Sequence, residues 1–199
     1  YLNFGKPLDL EEFLRKNVSE DFYIDSPLDR PNWLKPTTSL LGEEIIRSIN
    51  NSVAVSSTSL FAISLLTDPT QTLNKETLKN RISFYLNLLS KSDRYKDVWL
   101  TEENPEEIIE RSEKLRFIKH QLIGSDEVYR PTSSEVAALS FYKNNISHIF
   151  MLYSLICESV RYIDKLSKED IYALIEMVYP IFSREFFLQS PHIEREEIK

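Results

Sequence analysis

The chain has 199 residues, a formal net charge of −7, and 42% apolar against 28% charged residues. That balance belongs to a folded globular chain and excludes a disordered one. The acidic charge argues against nucleic acid as a partner, because duplex binding needs a basic footprint. Gly5, Gly42 and Gly124 are the only glycines. They stand too far apart for a Gly-x-Gly-x-x-Gly turn, a P-loop or a Gly-x-Ser-x-Gly elbow.

Tyr1-Leu2-Asn3-Phe4-Gly5 alternates like a strand. No nearby segment reads as its partner, so the expectation is a leftover strand in a piece of a longer protein. Residues 8–18 read as a short helix with Leu10, Phe13 and Leu14 on one face. Residues 19–36 carry Pro27, Pro31 and Pro36 and read as a linker. Three helices are expected next, over 38–52, 56–67 and 74–90, followed by a polar loop over 91–103. Asn104-Pro105-Glu106-Glu107 combines a cap, a first-turn proline and two carboxylates at the positive end of the helix dipole. It predicts a helix to about Lys114. Segments 115–123 and 127–130 read as a small hairpin.

Thr132-Ser133-Ser134-Glu135 has the spacing of a capping box. It predicts one long helix to about Ile163, with apolar residues in steps of three and four from Leu139 onward. Ser167-Lys168-Glu169-Asp170 predicts the start of a last helix over 168–188. Pro180 should kink that helix, and a polar tail follows over 189–199. The fold class expected is mainly α: a helical bundle of six or seven helices, with the N-terminal strand left over from a preceding domain and one small hairpin.

Two uncharged stretches raise the question of a membrane. Ser48–Thr67 contains Asn50, Asn51 and several serines, which make a poor span, and Asn144–Cys157 is too short for a hydrocarbon core of ~30 Å. Both read first as buried core helices and second as a face dipping into one leaflet. Cys157, the single cysteine, permits no internal disulfide, and its apolar neighbours predict a buried, inert thiol.

No catalytic or cofactor-binding residue emerges. His120, His148 and His192 are scattered, whereas a zinc site needs three or four converging ligands. A His-x-x-x-x-Asp base pair is absent, since Ser125, Tyr153 and Glu197 stand five residues after the three histidines. Helices 56–67 and 74–90 with the hairpin imitate a winged helix, but 74–90 is too apolar to be a recognition helix. The one suggestive cluster is Tyr142, Asn144, Asn145 and His148. On a helix both asparagines lie one turn from the histidine. The cluster reads as a satisfied polar network or as a contact to a neighbouring domain or polar head group.

Several segments, in order, resemble one family. They are Tyr1-Leu2-Asn3-Phe4-Gly5-Lys6-Pro7-Leu8, Arg30–Pro36, Ile49-Asn50-Asn51, Ser59–Leu66, Phe141–Phe150, Val178-Tyr179-Pro180 and Glu185–Leu188. The chain resembles the C-terminal region of the membrane-associated glycerol-3-phosphate acyltransferases of bacteria, with Lys6 where the family usually has Glu. The resemblance implies that the catalytic His-x-x-x-x-Asp lies upstream. Residues 1–18 would end the acyltransferase domain, 19–36 would be a linker, 37–188 a C-terminal helical domain and 189–199 a tail. It further implies partners: the chain's own upstream catalytic domain, membrane lipid, and acyl-CoA or acyl carrier protein through that missing domain. The implied place is the cytoplasmic face of the inner membrane, and no cofactor is implied. The alternative expectation is an independent helical interaction module without lipid chemistry.

Overall fold

The computed structural model describes residues 3–19, 22–23, 26, 30–92, 98–123, 126–162 and 167–188. Tyr1 and Leu2, part of the expected linker, Gly124 and Ser125 between the expected hairpin strands, Ile163 and the tail 189–199 lie outside the described residues.

The fold is mainly helical. In chain order it runs α1 (Leu10–Asn17), α2 (Leu34–Asn51), β1 (Ala54–Val55), α3 (Ser57–Leu66), β2 (Leu73–Asn74) and α4 (Lys75–Ser90). It continues with β3 (Trp99–Leu100), α5 (Pro105–Lys114), β4 (Ile118–Ile123), β5 (Asp126–Pro131), α6 (Val136–Ser147), a 3₁₀ turn (His148–Phe150), α7 (Met151–Tyr162) and α8 (Lys168–Glu185). Each expected helix has a counterpart, and so does the hairpin. Strands β4 and β5 pair antiparallel, with His120 opposite Tyr129, and β2 adds to the far side of β5. The loop 91–103 holds β3, which pairs in parallel with β1 through Ala54–Trp99 and Val55–Leu100.

Local chemistry explains most helix starts. Asp9 accepts from the Glu12 amide, Ser56 from Ser59 and Asn74 from Thr77. Asn104 with Glu107, and Ser167 with Asp170, form complete capping boxes. Each satisfies amides that a helix start leaves without partners. α3 lies at the centre. Its Leu60, Phe61, Ala62 and Leu65 join Leu78, Ile82, Ile108, Ile109, Leu139, Ile146 and Ile149 in the main core. A second, smaller core of Leu152, Ile171, Ile175, Tyr179 and Leu188 belongs to α7 and α8.

Four expectations need correction. The described part of the expected N-terminal strand is not a strand: residues 3–9 have no regular structure. With no strand to pair with, this segment lies on α2. The Asn3 side chain donates to the Ser52 carbonyl at 2.9 Å, and a Cβ on Gly5 would meet Ser52 Oγ at 2.5 Å. Helix α2 starts at Leu34, not at 38, because Pro36 is tolerated in a first turn. The long helix expected from 132 to 163 is interrupted. The Glu135 amide takes the Thr132 carbonyl in a turn, so no side-chain cap forms, and helix begins at Val136. It then tightens into 3₁₀ geometry over His148–Phe150. Finally, Cys157 is exposed. α7 buries one side, through Leu152 and Ser159, and Cys157 lies off that side.

Candidate functional site

The four residues singled out from sequence line one cleft of about 720 Å³. Tyr142, Asn144, Asn145 and His148 come from α6 and the turn after it. Asn50, Ile46 and Ile49 come from α2, Ser56, Thr58 and Ser59 from the start of α3, and Glu185, Phe186 and Phe187 from the end of α8.

His148 is the junction of these elements. Its Nε2 lies 3.0 Å from the Asn50 carbonyl oxygen. A carbonyl only accepts, so Nε2 carries the proton and donates. Burial pushes the imidazole below its ordinary pKa, and the Asn50 carbonyl opposes that shift. The neutral ring is therefore the form that the fold prefers. Asn50 completes the clasp: its side-chain amide donates to the Phe186 carbonyl at 2.9 Å. One residue of α2 thus ties the α6–α7 junction to the end of α8.

The asparagines behave differently from His148. Asn144 and Asn145 are exposed on the cleft wall. Among the described residues, neither hydrogen-bonds to the imidazole, which takes a backbone carbonyl instead. Tyr142 packs edge-on against Phe117, with ring centroids 6.0 Å apart, and rests on the main core.

Sequence reading missed Asn50, Phe186 and Phe187 as cleft residues. In the sequence Asn50 stands out only as a polar residue in the uncharged stretch Ser48–Thr67 and within the resembling segment Ile49-Asn50-Asn51, and Phe186 only within the resembling segment Glu185–Leu188. Phe187 stands out in the structure, where its φ is 48°, in the left-handed region that favours glycine. There it caps α8, letting the Leu188 amide reach the Ser183 carbonyl at 3.1 Å.

The cleft offers hydrogen-bonding groups over an apolar rim, with Glu185 as its carboxylate. Among the described residues, no group of three His, Cys, Asp or Glu side chains converges as a metal would need. None of their helices is long and apolar enough to cross a membrane.

The described residues thus form a mainly helical body with an open cleft lined by both polar and apolar side chains. The comparison with known proteins is more specific. Residues 1–199 match the family described as "Glycerol-3-phosphate acyltransferase C-terminal region", and the chain belongs to that family. It is 27% identical over 196 residues to a glycerol-3-phosphate acyltransferase of Shewanella loihica, covering 98% of this chain and 24% of that protein. It is 29% identical over 192 residues to one of Shewanella frigidimarina, covering 94% of this chain and 24% of that protein. The chain therefore spans about a quarter of the length of these curated relatives.

Proposed function

We propose that this chain is the non-catalytic C-terminal part of a glycerol-3-phosphate 1-O-acyltransferase. The parent would move a fatty acyl group from acyl-CoA or acyl carrier protein to the sn-1 hydroxyl of glycerol 3-phosphate, giving lysophosphatidate for phospholipid synthesis. The observation that carries this reading is the family match over the whole chain, joined to relatives named for that activity. An upstream histidine would take the hydroxyl proton while an aspartate orients it. Within these 199 residues no histidine is followed by Asp at that spacing, so the chain alone should be inactive.

In this reading residues 1–18 close the acyltransferase domain, 19–36 link it to a helical domain over 37–188, and 189–199 are a tail. The helical domain packs on the catalytic domain first and helps seat it on the cytoplasmic face of the inner membrane second. The parent is then peripheral or monotopic.

The test uses the full-length polypeptide and the 199-residue chain side by side. Labelled acyl-CoA and glycerol 3-phosphate should give lysophosphatidate with the first and none with the second. Product from the 199-residue chain, or none from the full-length polypeptide, overturns the reading. Liposome flotation tests the membrane role separately: a chain that stays in the soluble fraction at every lipid composition removes it.

A further inference from the structure

α2 is an amphipathic helix that this chain leaves largely uncovered. Of its eighteen residues only Thr37 is buried. At about 100° per residue, Leu41, Gly42, Ile45, Ile46 and Ile49 fall within one arc of about 140°, the width of a core-facing stripe. Yet Ile45 is 45% and Ile49 64% exposed. The stripe does not end at the helix surface, because Ile46 and Ile49 also form one wall of the cleft opposite Tyr142 and Phe186.

Gly42 is an independent sign. It sits in the middle of the stripe and of the helix, where glycine is the least favourable residue after proline. Nothing among the described residues stands within 4 Å of the place its Cβ would take. Gly5 is the contrast, held without a side chain by Ser48 and Ser52. No crowding among the described residues calls for a glycine at 42, whereas a backbone arriving from outside would.

We infer that the Leu41–Ile49 stripe of α2, with Gly42 at its centre and the cleft at its end, is the seat of the polypeptide that precedes this region in its full-length relatives. This rests on the functional reading above and names its surface. Three observations select that occupant. About three quarters of each relative's length lies outside the matched stretch. Residues 3–8 run along the last turns of α2, with Asn3 on Ser52 and Gly5 against Ser48, so the preceding chain is delivered to this helix. Charge disfavours a lipid surface: Glu185 lines the cleft, and Glu44 lines the neighbouring groove that holds residues 4–8. Anionic headgroups would meet carboxylates, whereas an apolar protein surface with a basic rim would complement them.

The test measures N-ethylmaleimide labelling of Ile45→Cys in a Cys157→Ser background, in the full-length polypeptide and in the 199-residue chain. Leu122→Cys and Met177→Cys report two other exposed apolar positions. Ile45→Cys should react at least tenfold more slowly in the full-length polypeptide. Adding Gly42→Trp there should restore the rate seen in the 199-residue chain. Gly42→Ala should raise the Tm of the 199-residue chain by about 2–4 °C, since no contact within it opposes a methyl group.

Equal rates for Ile45→Cys in both forms overturn the inference. If Leu122→Cys or Met177→Cys slows instead, packing on the catalytic domain stands and its seat lies elsewhere. If none of the three slows, the packing reading falls as well. Slowing in the 199-residue chain that grows with its own concentration assigns the stripe to a second copy. Slowing only with phosphatidylglycerol vesicles assigns it to lipid. Either result overturns the inference.

Discussion

α2 and α3 follow each other in the chain and differ in nearly every physical respect. α3 has ten residues and buries Ser57 and all of Ser59–Leu65. α2 has eighteen and buries Thr37. The polar residues are inside in one and the apolar residues outside in the other. α3 can hide serines because each finds a partner: Ser57 bonds Thr101 at 2.9 Å, Ser64 donates to the Leu60 carbonyl at 2.7 Å, and Ser59 meets Ser56 at 3.0 Å. A buried hydroxyl is tolerable when it is bonded. α2 shows the reverse, isoleucines that stay 38–64% exposed. The comparison teaches that α3 finds its partners among the described residues, whereas the apolar stripe of α2 stays largely exposed among them.

Substitutions can break or sharpen that contrast. Phe61→Ala empties a fully buried site in α3 and should cost about 3–5 kcal/mol in a urea titration of the 199-residue chain. A cost below about 1 kcal/mol would mean that α3 is not the centre of the core. Ser56→Ala removes the cap of α3 and should cost about 1 kcal/mol. Trp33, at the corresponding place before α2, makes no side-chain cap bond. A Trp33→Ser variant that stabilised nothing would show that the start of α2 is fixed by other contacts. Ile49→Ala, on the exposed stripe, should change stability by less than about 0.5 kcal/mol. A loss like that of Phe61→Ala would put Ile49 under a contact within this chain and erase the difference between the helices.

A pH profile probes the clasp that joins α2 to the cleft. Burial holds the folded pKa of His148 below its ordinary value of 6.5, so the unfolded chain binds the proton first. The stability contributed by the neutral imidazole is present above pH 6.5 and is lost as pH falls from there through the folded pKa. Melting temperature should decline over that acid window in the wild type, and less steeply in His148→Gln. Parallel profiles for the two proteins would show that His148 carries no part of the decline.

Much of this was legible in the residues. Asn104-Pro105-Glu106-Glu107 and Ser167–Asp170 announce helix starts because capping is local chemistry, and both boxes form. The grouping of Tyr142, Asn144, Asn145 and His148 on one cleft wall follows from helical spacing. The rest depends on distant partners. Nothing local says that His148 will reach Asn50, ninety-eight positions away, or that Asn50 will hold Phe186. The break at 148–150 is hidden because the apolar steps of three and four continue across it. Thr132–Glu135 fails as a cap because a backbone turn competes for the same amide. Cys157 sits in an uncharged run of which only one side is buried, and composition does not say which side.

The short 3₁₀ stretch at His148–Phe150 also divides the molecule energetically. Phe150 belongs to the core around α3, and Leu152, two residues on, to the core of α7 and α8. The described polar ties across that line include the bond from Asn50 to Phe186 and that from Tyr153 to Ser92, at 2.8 Å. A helical pair with its own small core, joined through a tightened turn, is expected to open as a separate cooperative unit. Its amides should exchange with solvent through a sub-global opening that leaves the rest folded. The last two helices would then come away as one piece, at a lower free energy than the domain as a whole.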